Sequence, residues 1–476
     1  MSDSDLCYLS ATDALEQFRE RELSPLELIE ALVSRAARVE PAVNAFADRY
    51  FDEALAQARE AEARYAGSGA DPRPLEGIPV AVKDDTAIEG RRSTMGSLLF
   101  QHRIDDHTNP SVERLLAAGA IVHARTTCPE FCWPWVCYSR IHGVTRNPWN
   151  LDNTPGGSSG GSAAALAAGT TTLATGTDSG GSIRMPAAMC GVVGFKPPYG
   201  RNPESPGLNF DPYNHVGPMA RTIADCALLQ NAMSGLHPAD HATVRECVRI
   251  PAELDGIEGM RIAYSFDLGF HEICHDVLEN TRDALAALVE AGAAVSEVEV
   301  AWAREATQAA GHWGDHLNSD VFARAIENHA DLVCDYTRHF AEECARVTAR
   351  DFHESMLVAG RTWRDHLSPL LDQYDAFVCP TVAVPEVPAD LPPWKDFEFA
   401  GAPVRADGSW VMTILFNMFS RCPVLAVPSG FTRTGMPSGI QIVGRSFDDV
   451  RVFRIGAALE RVRPWLDWTR QRPRLG

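Results

Sequence analysis

Between Thr154 and Pro198 two clusters of glycine and serine bracket an alanine-rich run and a short apolar segment. The first is Gly156-Gly157-Ser158-Ser159-Gly160-Gly161-Ser162, and the second is Asp178-Ser179-Gly180-Gly181-Ser182. This pattern constrains the chain more than any other, because glycine suits backbone that turns with positive φ or approaches a ligand closely, and serine supplies an alcohol. The run from Gly160 to Gly169 reads as a helix. Taken alone, the clusters admit flexible turns, an anion cradle of N–H groups at the start of that helix, or a catalytic site. Neither a Gly-Lys-Ser/Thr step nor a Gly-x-Gly-x-x-Gly spacing follows, which argues against nucleotide binding.

A third element decides among these readings. Gly77-Ile78-Pro79-Val80-Ala81-Val82-Lys83-Asp84 is an apolar, β-branched run that reads as a buried strand ending on a lysine. An ammonium is disfavoured in a medium of low dielectric, so such a lysine either pairs or lowers its pKa and becomes a base.

Together these pieces resemble the amidase signature family. The resemblance is carried by GGSSGGS at Gly156 to Ser162, by GTDSGGSIRMPAAMCGVVGFKP from Gly176, by PVAVKD around Lys83, and by the 24-residue step from Ser158 to Ser182. It extends through TRNPWN at Thr145 to Asn150 and SGIQIVGRSFDD at Ser438 to Asp449, and is weakest between about 235 and 375.

The resemblance implies an amide hydrolase with Ser182 as nucleophile, Lys83 as base and Ser158 carrying the proton between them. The family's serine matching Ser158 follows a cis peptide bond, here Gly157-Ser158. Amide hydrolysis needs an activated nucleophile, a proton for the leaving amine and donors for the oxyanion. The main-chain N–H groups of Ser179, Gly180, Gly181 and Ser182 are the natural oxyanion hole, with Asp178 and Arg184 pairing to brace their loop. Ser159 and Ser162 take supporting roles. No cofactor and no metal are implied. Two positions depart from the family: Asp85 stands where Asn is common, and Ser179 where Thr often occurs. A carboxylate facing Lys83 would favour its charged form; otherwise activity is expected to rise from pH 6 towards 9 as Lys83 becomes neutral.

The alternation of strands and helices argues an α/β fold, one large mixed β-sheet sandwiched by helices. Residues 1–70 read as an N-terminal helical wrap, with Ser24-Pro25-Leu26-Glu27 as a capping box, and 71–476 as the core, within which 235–375 forms a mostly helical part near the substrate site. GSGADPRP at 67–74 reads as a connector. The proline-rich 382–409 segment reads as a pocket rim or lid. Cys132 and Trp133 are expected to form an apolar wall of the substrate pocket.

A formal charge of -20 repels nucleic acid and anionic membrane surfaces, so small neutral or cationic partners fit better. The N-terminus lacks the basic start and apolar run of a signal peptide, no stretch of about 20 apolar residues exists, and the twelve cysteines are expected as reduced thiols, so the chain reads as cytoplasmic. Pairing of two copies through exposed helices stays open. The expected substrate is a neutral aryl or alkyl amide or a carbamate. Three alternatives remain: the partner-dependent amidase component of a tRNA-dependent amidotransferase; a zinc hydrolase using His271-Glu272-Ile273-Cys274-His275, a match to H-E-x-x-H; and a non-catalytic anion-binding module.

Overall fold

The computed structural model describes residues 3–67, 70–406, 408–464, 468 and 471–475. Part of the 67–74 connector, residues 68 and 69, lies outside them. Eleven strands form one mixed sheet: β1 Phe46–Arg49, β2 Pro79–Lys83, β3 Ile121–Thr126, β4 Leu173–Thr177, β5 Val193–Lys196, β6 Val216–Ala220, β7 Arg261–Tyr264, β8 Ala294–Glu297, β9 Ala376–Pro380, β10 Val424–Phe431 and β11 Pro437–Val443. Their spatial order is β1-β3-β2-β4-β6-β5-β10-β11-β9-β7-β8. Strands β3, β2 and β4 run parallel to their neighbours among these three, as do β9, β7 and β8, whereas the pairings from β4 to β9 are antiparallel.

Side-chain alternation along these strands feeds two cores. On β9, Ala376 and Val378 join one apolar cluster and Phe377 and Cys379 the other, as the period of two along a strand requires. Helices His275–Glu290 and Asp449–Val462 contribute to the first cluster, with Leu288 and Phe453 fully buried, while the first turns of Ala303–His329 pack into the second. The sheet is therefore covered on both faces.

Within residues 11–66 the helices Ala11–Glu20, Pro25–Val43 and Phe51–Tyr65 form as read, and Ser24 and Glu27 close a capping box. The helical reading missed β1, an edge strand whose four residues, Phe-Ala-Asp-Arg, carry too short a pattern to announce a strand. Phe18, Leu32 and Val39 of these helices share a cluster with Val80 of β2 and Ala164.

What positions the site is the parallel pairing of β2 with β4, in which Val80 lies opposite Leu173 and Ala81 opposite Ala174. Their carboxyl ends therefore bring Lys83 and Thr177 side by side. In open α/β sheets this is the edge at which ligands bind.

Candidate active site

Lys83 closes β2 fully buried. Its Nζ donates to Ser158 Oγ at 2.7 Å and to Thr177 Oγ1 at 2.6 Å, and it lies 3.0 Å from Asp85 Oδ2. The carboxylate thus faces the lysine. Burial pulls the lysine pKa down, but Asp85 and the neighbouring cysteines Cys132 and Cys128 outweigh it and hold the ammonium above its ordinary range. Burial likewise pushes the Asp85 carboxyl up, and the Lys83 charge with the Thr177 hydroxyl brings it below its ordinary value. The resting pair is ionic. The expected rise in activity between pH 6 and 9 through neutralisation of a lone Lys83 therefore has no basis in this geometry.

Ser158 follows a cis peptide bond from Gly157 and is 1% exposed. Ser182 is 9% exposed, and its carbonyl accepts the Ser159 N–H at 3.1 Å. The Ser159 hydroxyl donates to Thr177 O at 3.2 Å and accepts the Thr177 N–H, and Ser162 Oγ donates to Thr175 O, so both tie the first glycine cluster to β4. Ser158, Thr177, Ser179, Gly180 and Ser182 all border one cavity of about 1580 Å3.

Asp178 and Arg184 pair at 2.9 Å, both fully buried. Burial raises the Asp178 carboxyl, but the Arg184 guanidinium outweighs it and holds the carboxyl well below the usual range. Asp178 also accepts the N–H groups of Gly181 at 2.8 Å and Ile183 at 3.1 Å, which folds the loop around the carboxylate. Gly181 has φ 120°, and a Cβ there would lie 1.8 Å from Thr413 Oγ1, so only glycine fits. Its N–H is committed to Asp178, which corrects its expected place in the oxyanion hole. The N–H groups of Ser179, Gly180 and Ser182 take no hydrogen-bond partner among the described residues.

Arg184 further donates to Thr413 O, Gln441 Oε1 and Asn417 Oδ1 at 2.7 to 3.0 Å, and the Thr413 hydroxyl donates to Gly180 O at 2.6 Å. Sequence reasoning missed these three residues and Thr177. Only the last carried a signal, as the residue that ends β4 just before Asp178.

Cys132 and Trp133 both line the cavity. The Cys132 thiol donates to Asp85 Oδ2 at 3.3 Å, so this part of the wall is polar rather than apolar. Trp133 stands edge-on to Phe322 with centroids 5.4 Å apart and to Phe340 at 6.3 Å. Across the cavity Tyr213 stacks on Trp313 at 4.7 Å. The 382–409 segment supplies Val384, Glu386, Pro388 and a hairpin of Phe397–Phe399 with Ala402–Val404, several of whose residues border the same cavity.

His271 and His275 also reach the cavity wall, but the helix begins only at His275, with extended backbone at Cys274 (φ -67°, ψ 152°). The two imidazoles are not one helical turn apart, and the His271 Nδ1–H donates to Ser409 O at 2.6 Å. No group of three or more His, Cys, Asp or Glu among the described residues is placed to hold a metal ion. The anion cradle fails for a similar reason: a Cβ at Gly160 would lie 2.6 Å from that of Cys137, and one at Gly161 2.4 Å from Thr127 N, so protein fills the start of Gly160–Ala168.

Comparison with known proteins agrees with this geometry. The family model Amidase matches residues 27–453. The chain belongs to the amidase signature family. It is 34% identical to the acylamidase of Rhodococcus erythropolis over 98% of both chains. It is also 33% identical to the amidase component of the glutamyl-tRNA(Gln) amidotransferase of Roseiflexus castenholzii, over 97% of both. Among solved structures, a bacterial aryl acylamidase of the amidase signature enzymes superposes with a TM-score of 0.88 at 26% identity, covering 97% of each chain. The protein is an amide-hydrolysing enzyme with the fold of that family, and no helix among its described residues is long and apolar enough to cross a membrane.

Proposed function

We propose that this amidase hydrolyses small neutral aryl or alkyl carboxamides, and carbamates of similar shape, through an acyl-enzyme on Ser182. The observation that carries the reading is the 2.7 Å bond from Lys83 to Ser158 at the floor of a cavity into which Ser182 also opens. An unassisted serine is barely nucleophilic at neutral pH, so a route for its proton is the first requirement.

Ser182 Oγ attacks the carbonyl carbon and gives its proton to Ser158 Oγ, whose own proton passes to Lys83 once the lysine has itself released one. The developing oxyanion meets the N–H groups of Ser179, Gly180 and Ser182, held in place by the Asp178–Arg184 pair. Collapse expels the amine with a proton returned through Ser158 and leaves an ester on Ser182. Water, activated by the same route, releases the acid.

Trp133, Phe131, Tyr213 and Trp313 favour an aromatic group on the substrate, because aryl faces and edges pack well against rings. The mostly helical 235–375 part supplies Trp313 and Phe340 to the wall and so sets substrate preference. The amidase acts as the isolated chain in the cytoplasm, without nucleic acid. A reading as the partner-dependent component of an amidotransferase draws on the Roseiflexus relative.

The test is hydrolysis of a panel of anilides, aliphatic amides and aryl carbamates by the purified chain, beside Ser182→Ala and a chelator-treated sample. Turnover by wild type and the chelated sample, with the alanine variant dead, is the expected result. Activity that appears only with an added partner would favour the amidotransferase reading, and an active Ser182→Ala would overturn the serine mechanism.

A further inference from the structure

The Lys83 ammonium has three protons and three oxygen acceptors, Ser158 Oγ, Thr177 Oγ1 and Asp85 Oδ2. In that state it has no lone pair with which to take a proton from Ser158. One of its protons must leave first, and the acceptor has to be adjacent, basic and able to return it. Ser158 is the wrong direction, since it must deliver a proton, and Thr177 is an alcohol. Asp85 is the remaining neighbour. Its Oδ2 collects the Thr177 hydroxyl at 2.5 Å and the Cys132 thiol at 3.3 Å, and its Oδ1 the Thr86 hydroxyl at 2.9 Å. Its side chain also borders the cavity.

Resting on the serine reading above, we propose that Asp85 is the terminal proton acceptor, so that four residues relay the proton: Ser182 to Ser158, Ser158 to Lys83, and one Nζ proton of Lys83 to Asp85 Oδ2. The last transfer runs directly over 3.0 Å or through the Thr177 hydroxyl, which touches both groups. The balance closes. The relay moves one proton from Ser182 to Asp85 as the C–O bond forms, and the reverse relay delivers one proton to the leaving nitrogen as the C–N bond breaks. Asp85 is then again a carboxylate and Lys83 an ammonium.

The surroundings favour such a transfer at the right moment. Burial acts against the charge on both members of the pair. A substrate that fills the cavity removes water from the exposed side of Asp85, which weakens the ionic form relative to the neutral one. Cys132, at Asp85, is a neutral donor at rest, and the thiol of Cys128 beside it is raised well above its ordinary value.

The consequence is a pH profile unlike that of a lone lysine base. The competent form carries one proton on the Lys83–Asp85 pair and persists until Asp85 takes a second one at acid pH. Other groups facing the pair are Glu204, raised by burial to about 7 and felt by Asp85, Asp84 with His142 against it, and Arg125, which donates to Lys83 O. Glu204 titrates inside the window of interest, so profiles are compared also in a Glu204→Gln background.

The experiment is kcat/KM against pH from 6 to 9 for wild type and Asp85→Asn, using an anilide without ionisable groups. Wild type is expected flat within about twofold. In Asp85→Asn, Lys83 must lose its proton to solvent, so activity at pH 6 should fall at least tenfold below wild type and recover towards pH 9. A wild-type profile that climbs tenfold per pH unit, parallel profiles for the two proteins, or a folded Asp85→Asn inactive at every pH would overturn the proposal. The wild-type profile alone decides if the variant does not fold. Ser182→Ala in the same series separates the two claims: if it is active, the serine reading fails, and if it is dead while the other profiles run parallel, only the role of Asp85 fails.

Discussion

The floor and the walls of the cavity are built in opposite ways. On the floor, Lys83, Asp85, Asp178 and Arg184 are ionic groups in a dry interior, each satisfied by several partners within about fifteen residues of a glycine cluster or at the end of β2. The walls come from Phe131 to Trp135, Trp313, Phe340 and 382–409, segments far apart in the chain that meet through ring contacts and apolar packing. A buried polar network tolerates little change, because removing one partner strands the other without solvent. An apolar wall can exchange residues with only graded loss. The difference teaches that the floor carries the reaction and the walls carry the choice of substrate.

The strongest way to break that contrast is Lys83→Ala. It should lower kcat by about 10^4-fold or more, as removal of a member of a catalytic unit does in other serine hydrolases, with KM little changed. A loss under tenfold in steady-state kinetics would place the base elsewhere. Next comes Asp178→Ala, which leaves the Arg184 charge buried without its carboxylate. Chemical denaturation should show about 3–5 kcal/mol of lost stability, alongside lost activity. An unchanged midpoint would mean that the loop does not depend on this pair.

A smaller effect sharpens the other side. Trp133→Ala should raise KM for anilides about tenfold, the scale of one pocket contact, and leave kcat and the turnover of short aliphatic amides nearly unaltered. Equal losses on both substrate types would show that the wall also serves the chemistry.

How much of this was legible beforehand follows the same division. Lys83, Ser158, Ser182 and the Asp178–Arg184 pair stood out because their residue types are unfavourable in apolar or glycine-rich surroundings unless something is done with them. Asp85 was visible as a departure, and whether it faces Lys83 depended on the turn after β2. Thr413, Asn417 and Gln441 were invisible, since they reach Arg184 from more than 225 residues away through a strand order that periodicity does not specify. Gly181 looked like an oxyanion donor until the Asp178 carboxylate took its N–H. The His271 to His275 pattern misled because five residues say nothing about where a helix starts, and Cys274 is its extended N-cap. The long proline-rich segment hid a short hairpin, whose three-residue strands lie below what alternation can reveal.

The most direct test of the central claim is to mix the amidase with an activated anilide or aryl ester, quench within the first turnovers, and measure intact and peptide masses. A mass increase equal to the acyl group, mapped to the peptide that contains Ser182 and absent in Ser182→Ala, is what the serine mechanism requires. Turnover of the same substrate with no acylated species in wild type, together with product formation by Ser182→Ala, would contradict it.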